Sequence, residues 1–226
     1  GLTATFTVVL DTEPTSTVTI GLSSSDTGEG TVSPTSLSFT TTDWGTAQTV
    51  TVTGVDDAVK DGDIAYTIVT AAASSADTNY DTMNAADVSV TNIDDDLSGI
   101  TVMPTSGLTT TEAGGTDTFT VVLDSEPTAD VGIGLSSSDT GEGTVSPASL
   151  TFTTANWDTP QTVTVTGVND SIDDGPVGYT ILTAAATSTD PSYDTIDADD
   201  VSVTNTDDDT AGITVDPTPN LVTTEA

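Results

Sequence analysis

Apolar side chains recur at every second position along this chain, in runs too short for a helix. Phe119, Val121 and Leu123 alternate with Thr118, Thr120 and Val122. The same period continues through Val131, Ile133 and Leu135, then Leu150 and Phe152, then Val163 and Val165, with Val168 three positions further on. It resumes in Val177, Tyr179 and Ile181, in Val201 and Val203, and in Ile213 and Val215. A period of two puts alternate residues on opposite faces of a pleated strand, so each run buries one face. Turn signals such as Glu126-Pro127, Asp139-Thr140-Gly141, Ser146-Pro147 and Asp173-Asp174-Gly175 separate the runs. About seven short strands per roughly 110 residues, with no helical period, predict an all-β antiparallel sandwich of immunoglobulin-like type. The alanine patches Ala71–Ala73 and Ala184–Ala186 are too short to hold a helix.

The pattern repeats as a whole. A shift of 113 positions lays Gly21–Pro34 on the identical run Gly134–Pro147, and 79 of 113 positions match without insertion or deletion. Every aromatic residue recurs: Phe6/Phe119, Phe39/Phe152, Trp44/Trp157, Tyr66/Tyr179 and Tyr80/Tyr193. Rings at fixed strand positions in each copy read as core rather than as a carbohydrate platform. The repeat predicts a sandwich over 1–96 without its opening strand, a complete one over 97–209, and the opening strand of a further repeat over 210–226. Either the 113-residue unit is cut from a continuous array, or the tail of one molecule completes the open sandwich of the next by strand addition. Both readings predict a filament in which the partners are neighbouring copies of the chain.

Composition narrows the function. There are 36 acidic residues against one base, Lys60, with no histidine and no cysteine, for a formal charge of −35. Triads built on His, cysteine nucleophiles and Cys/His zinc sites are excluded. A single base leaves no phosphate clamp and no electrostatic hold on nucleic acid or an anionic membrane. No apolar run approaches the roughly 18 residues of a membrane span, so no membrane insertion is expected. A glycosidase pair needs one carboxyl of raised pKa in a pocket. The carboxylates here recur in both copies on loops, so no enzyme is expected. Self-repulsion of this size calls for counter-ions, and the expected partner is a cation.

The acidic residues gather where strands end. Asp56, Asp57, Asp61 and Asp63 share one loop, Asp94, Asp95 and Asp96 the next linker, and Glu29 and Glu142 the two copies of Gly-Glu-Gly-Thr. Glu112 and Glu225 each close a Thr-Thr-Glu-Ala motif. Ca²⁺ takes six to eight oxygen ligands, which crowded carboxylates on short loops supply, whereas Mg²⁺ keeps more of its waters. The run Gln48–Ile68, closed by Val88–Asp96 and opened by Thr-Thr-Glu-Ala, resembles the Calx-beta domain of sodium–calcium exchangers, integrin subunits and very large bacterial surface proteins. The resemblance covers each period from end to end and implies a seven-stranded sandwich that binds calcium at one pole, beside the junction with the next domain. Carried over by position, it implies ligands Glu112, Glu142, Asp170, Asp174, Asp207, Asp208 and Asp209 in the complete copy. In the first copy it implies Glu29, Asp56, Asp57, Asp61, Asp94, Asp95 and Asp96, with Glu225 of a preceding unit in the opening role. Asn169 replaces the first aspartate of the pair in the second copy, and its amide oxygen can still ligate; Pro176 stands where the first copy has Asp63.

The sequence therefore predicts a calcium-stabilised structural repeat of an extracellular filament or giant cell-surface protein, stiffened by calcium at its domain junctions. A stalk that presents a separate adhesive tip is one alternative, and a calcium-sensing regulatory module is another. A near-identical tandem repeat favours the structural reading.

Overall fold

The computed structural model describes residues 1–216 and 218–225, and no helix occurs among them. The chain divides into two compact units, 1–96 and Leu97 onward. Unit 1 contains β1 (Thr3–Val8), β2 (Val18–Ser24), β3 (Gly30–Ser33), β4 (Ser36–Phe39), β5 (Gln48–Gly54), β6 (Ile64–Thr70), the two-residue β7 (Ser74–Ser75) and β8 (Val88–Asn92). One sheet runs β1-β5-β3 and the other β4-β2-β6-β8, with β7 beside β2. Unit 2 contains β9 (Ile100–Met103), β10 (Leu108–Thr111), β11 (Thr116–Leu123), β12 (Val131–Ser137), β13 (Gly143–Ser146), β14 (Ser149–Phe152), β15 (Gln161–Gly167), β16 (Val177–Thr183) and β17 (Val201–Thr206). Its sheets run β13-β15-β11-β9 and β10-β17-β16-β12-β14.

Both units are antiparallel β-sandwiches whose inward residues are those of the two-residue period. In unit 2, Phe119, Val121, Val131, Ile133, Phe152, Val163, Val165, Ile181, Tyr193 and Val201 are essentially inaccessible to water. Full burial of such an aliphatic or aromatic side chain contributes about 1.5–3 kcal/mol, which is why a β-branched, threonine-rich chain settles into sheets. Tyr193 closes one corner, donating its hydroxyl to the Ser125 carbonyl at 2.6 Å and accepting the Ser125 N–H at 2.9 Å. Tyr80 does the same for Thr12 in unit 1.

Unit 2 differs from the expected pattern in its opening segment and in its strand count. It has nine strands rather than about seven, because the opening segment serves both sheets. β9 pairs antiparallel with β11, and β10 crosses over to lie parallel to β17. The crossing lies between Pro104, which has no N–H for a ladder, and Gly107, at φ +82°. Val102 and Leu108 on either side of it both enter the core. β13, too short and polar to announce itself, adds a further strand, and Val168 falls just beyond β15. No strand forms at Ile213 and Val215, which stand in solvent.

Candidate metal centre

Three chain segments of each unit bring carboxylates to one pole. The turn before β3 or β13 carries Glu29 or Glu142, the loop after β5 or β15 carries Asp57 and Asp61 or Asp170 and Asp174, and the aspartate triplet follows β8 or β17. In unit 2 the end of β10 adds Glu112. Local sequence fixes each one. The Val168 N–H donates to the Glu142 carbonyl, and the Val55 N–H to that of Glu29, both at 2.9 Å. A β-carbon at Gly30 or Gly143 would collide with the hydroxyl of Tyr66 or Tyr179, so glycine follows the glutamate in both copies. Asp57 and Asp170 cap their own loops by accepting the N–H groups of Val59 and Ile172.

Three groups of carboxylates result. Glu29, Asp57 and Asp61 each offer an oxygen within 4.8 Å of the others; so do Glu142, Asp170 and Asp174, and so do Glu112, Asp208 and Asp209. Two ligands of one calcium ion, each about 2.3–2.6 Å from it, lie no more than about 5 Å apart, so this spacing suits a calcium-sized ion. In unit 1, Glu29, Asp56, Asp57, Asp61, Asp94, Asp95 and Asp96 all border one recess of about 20 Å³, room for one water-sized species.

Asp56, Asp95 and Asp96 border the recess of unit 1 but join none of the three groups. Asp94 and Asp207 lie outside the groups too. Each spends both oxygens on loop closure: Asp94 accepts Gly62 and Asp96 N–H groups at 2.6 and 2.8 Å, and Asp207 accepts those of Gly175 and Asp209 at 2.7 and 2.8 Å. Asp94 also pairs with Lys60 at 2.7 Å. The Lys60 ammonium, then the two N–H groups, lower the Asp94 pKa to about 2. Asn169 turns its amide nitrogen to the Asp170 carbonyl. Glu225 is exposed in the tail segment and joins no group.

The electrostatics of unit 2 are severe. Glu112 is 3% exposed and Glu142 8% exposed, yet unit 2 has no basic side chain to set against its acids, since Lys60 of unit 1 is the chain's sole one. Glu112 accepts one long bond, 3.4 Å from the Asp208 N–H, and Glu142 one of 3.3 Å from Asn205. Among the described residues, Asp209 Oδ2 is a buried side-chain oxygen with no hydrogen-bond partner. Burial, and then the charges of Asp207, Asp208, Asp170 and Asp173, push the Asp209 pKa up. Burial and the charges of Asp207, Asp170 and Asp209 do the same to Glu112. Asp170 acts on both residues although it belongs to the other group, so the two groups share one field. Buried carboxylates normally find a cation or several donors, and this all-oxygen, all-anionic set fits a hard divalent cation.

One contributor lies outside the acidic motifs. Asn205 is 1% exposed and donates to the Val168 carbonyl at 3.0 Å and to Glu142 Oε2 at 3.3 Å, while accepting from Thr110 at 2.9 Å. Asn92 repeats the first two bonds in unit 1, to Val55 and Glu29. The visible signal is a carboxamide on the core-facing alternation Val201, Val203, Asn205, a position otherwise reserved for apolar residues.

No protein-family model and no curated protein matches the chain. Among solved structures it is similar to the calcium-binding domain CBD12 of CALX1.1, at 15% identity over 82% of this chain and 74% of that one, with a TM-score of 0.39. CBD12 from CALX1.2 gives 13% identity over 81% and 74%, with a TM-score of 0.38. Domains 4 and 5 of the S-layer protein SbsC give 14% identity over 83% and 70%, with a TM-score of 0.33. These values mark loose likeness between β-sandwich chains.

Proposed function

We propose that this chain is a calcium-stabilised structural repeat of an extracellular filament or giant surface protein. One observation carries the reading: unit 2, with no basic side chain, buries Glu112 and Glu142 and leaves a buried Asp209 oxygen unpartnered. Glu142, Asp170 and Asp174 would hold one ion, and Glu112, Asp208 and Asp209 a neighbouring one; in unit 1 the ion would sit with Glu29, Asp57 and Asp61. Bound calcium would supply the positive charge that unit 2 lacks and would give its buried carboxylate oxygens a partner. In unit 1 the triplet Asp94–Asp96 runs directly into Leu97 of the next unit, so ordering the triplet stiffens the junction between repeats. Near-identical repeats joined by such junctions make a rod, and modules of this kind work at the calcium levels found outside cells.

Calorimetric titration of the protein with calcium, and separately with magnesium, tests this. The expected result is calcium binding that weakens when Glu112→Gln or Glu142→Gln is introduced, with much feebler magnesium binding. No calcium heat, or equal heats from both metals, would contradict the proposal.

A further inference from the structure

We infer that the residue at position 60, and at its counterpart 173 one period later, sets how much calcium each acidic pole requires, with Lys60 a tethered cation that stands in part for the ion. The inference rests on the calcium reading above. Lys60 lies in the loop between β5 and β6, and Asp173 holds the same place between β15 and β16. The two loops close alike. The Gly62 N–H donates to Asp94 at 2.6 Å and the Gly175 N–H to Asp207 at 2.7 Å. Each aspartate also accepts the N–H two residues on, at 2.8 Å. What differs is the side chain beside them. The Lys60 ammonium donates to Asp94 Oδ2 at 2.7 Å, and the Asp94 side chain is 5% exposed. Asp173 instead accepts the Ala211 N–H at 2.8 Å, and its charge is one of those that, after burial, push the Asp209 pKa up.

Two further differences offset the lysine in formal charge: Asn169 stands for Asp56 and Pro176 for Asp63, so the two loops carry equal totals. Placement separates them. Asp56 and Asp63 are exposed, where water and salt screen a charge. The Lys60 ammonium bears on a carboxylate shut away from water, where the same charge acts more strongly. Asp63 also accepts the Asp94 N–H at 3.2 Å, a contact for which the Pro176 side chain has no oxygen. An ammonium, two backbone donors and one acceptor therefore fix Asp94 to its loop. The ammonium keeps its charge at neutral pH whatever the calcium concentration. Charge that Lys60 has already neutralised is not there for an ion to neutralise. Unit 1 thus gains less from calcium than it would with aspartate at position 60, and unit 2 gains more than it would with lysine at 173.

The test exchanges the two residues in the 226-residue protein, as Lys60→Asp and Asp173→Lys, and follows amide hydrogen exchange in excess chelator and over a calcium series. Peptides that span the differing loop residues tell the two copies apart, and each variant is compared with the natural residue in the same unit. In chelator, Asp173→Lys raises protection of unit 2 by about fivefold or more and narrows the gain that calcium gives it. Lys60→Asp lowers protection of unit 1 and widens its gain. Asp173→Asn keeps an acceptor for the Ala211 N–H, so it falls between aspartate and lysine if charge is the cause. Where Lys60→Asp leaves unit 1 unfolded in chelator, its recovery in calcium reads the same dependence, and Asp173→Lys, a change toward stability, decides independently. Equal calcium gains with aspartate, asparagine and lysine at 173 overturn the inference and leave the calcium reading intact. Calcium that protects neither unit in any variant rejects the calcium reading, and the inference falls with it.

Discussion

Replacing Asn205 by leucine, which has the same branching, a larger volume and no polar side-chain atoms, tests what a single buried amide does for the acidic pole. The change removes two donated hydrogen bonds and one accepted one. Thr110 keeps a partner in the Tyr179 hydroxyl, 3.2 Å away, so the cost falls on the Val168 carbonyl and the buried Glu142 carboxylate. A buried group left unsatisfied costs about 1–3 kcal/mol, more when charged, which gives about 2–4 kcal/mol here. At about 4 °C per kcal/mol for a domain of this size, the unit 2 transition falls by roughly 8–16 °C. Asn92→Leu removes the matching bonds in unit 1, but Asn92 is half-exposed, and water replaces much of what is lost; its cost is about 0.5–1.5 kcal/mol. Scanning calorimetry in calcium-free buffer reads both transitions in one protein. On the proposed calcium reading, Asn205 would act on an ion at Glu142 only through that carboxylate, and the variant would lower calcium affinity of unit 2 by about 10- to 100-fold. Equal shifts for the two variants, or an unchanged unit 2 transition, would refute the argument that burial sets the cost.

Asp209→Asn stabilises the metal-free protein by relieving buried like charge and destabilises the calcium-loaded one by losing a ligand; melts with and without calcium check this reversal of sign. Burial raises the pKa values of Glu112, Asp209 and Asp96, so the ionised form is the strained one in the fold. The metal-free protein therefore gains stability as pH falls from neutral toward the ordinary carboxylate range, whereas the calcium-loaded protein loses it as protons displace the ion; melting temperature against pH reads both. Asp94 has the opposite sign: its pKa of about 2 contributes stability above the ordinary aspartate value that disappears as pH falls toward 2, and Lys60→Met weakens that acid-range dependence while the Asp96 and Gly62 N–H groups keep part of it. Tyr193→Phe leaves the Ser125 N–H and carbonyl buried without their partner and costs about 1–3 kcal/mol by chemical denaturation.

Strand positions were legible in the sequence because the two-residue period is the physical requirement of a half-buried strand, and Phe119–Leu123 or Val177–Ile181 satisfy it without ambiguity. The opening segment was not, because Ile100–Thr111 is divided between two sheets and periodicity carries no sign of a crossing or of a parallel partner. Strands such as Gly143–Ser146 alternate too briefly to register. At the acidic pole, clustering of aspartates in sequence marked the loops whose carboxylates gather there, since consecutive residues in a short loop cannot separate far. Which carboxylates converge was a different matter. Asp94 and Asp207 have the same composition signal as their neighbours, yet backbone N–H groups of Gly62 and Gly175 claim their oxygens. Asn205 carried a signal of another kind, a polar residue on an apolar alternation.

The central claim is that calcium supplies the positive charge the fold lacks. Thermal melting of the 226-residue protein in millimolar calcium, in excess chelator and in magnesium at equal ionic strength tests it most directly. Saturation of one site at 100 times its dissociation constant adds about 2.7 kcal/mol, and further sites add to it. The account predicts a large upward shift of the transition in calcium, little in magnesium, and reversal on chelation. Superimposable melts in calcium and chelator would contradict it, and would leave the carboxylates of both poles as a solvated anionic coat.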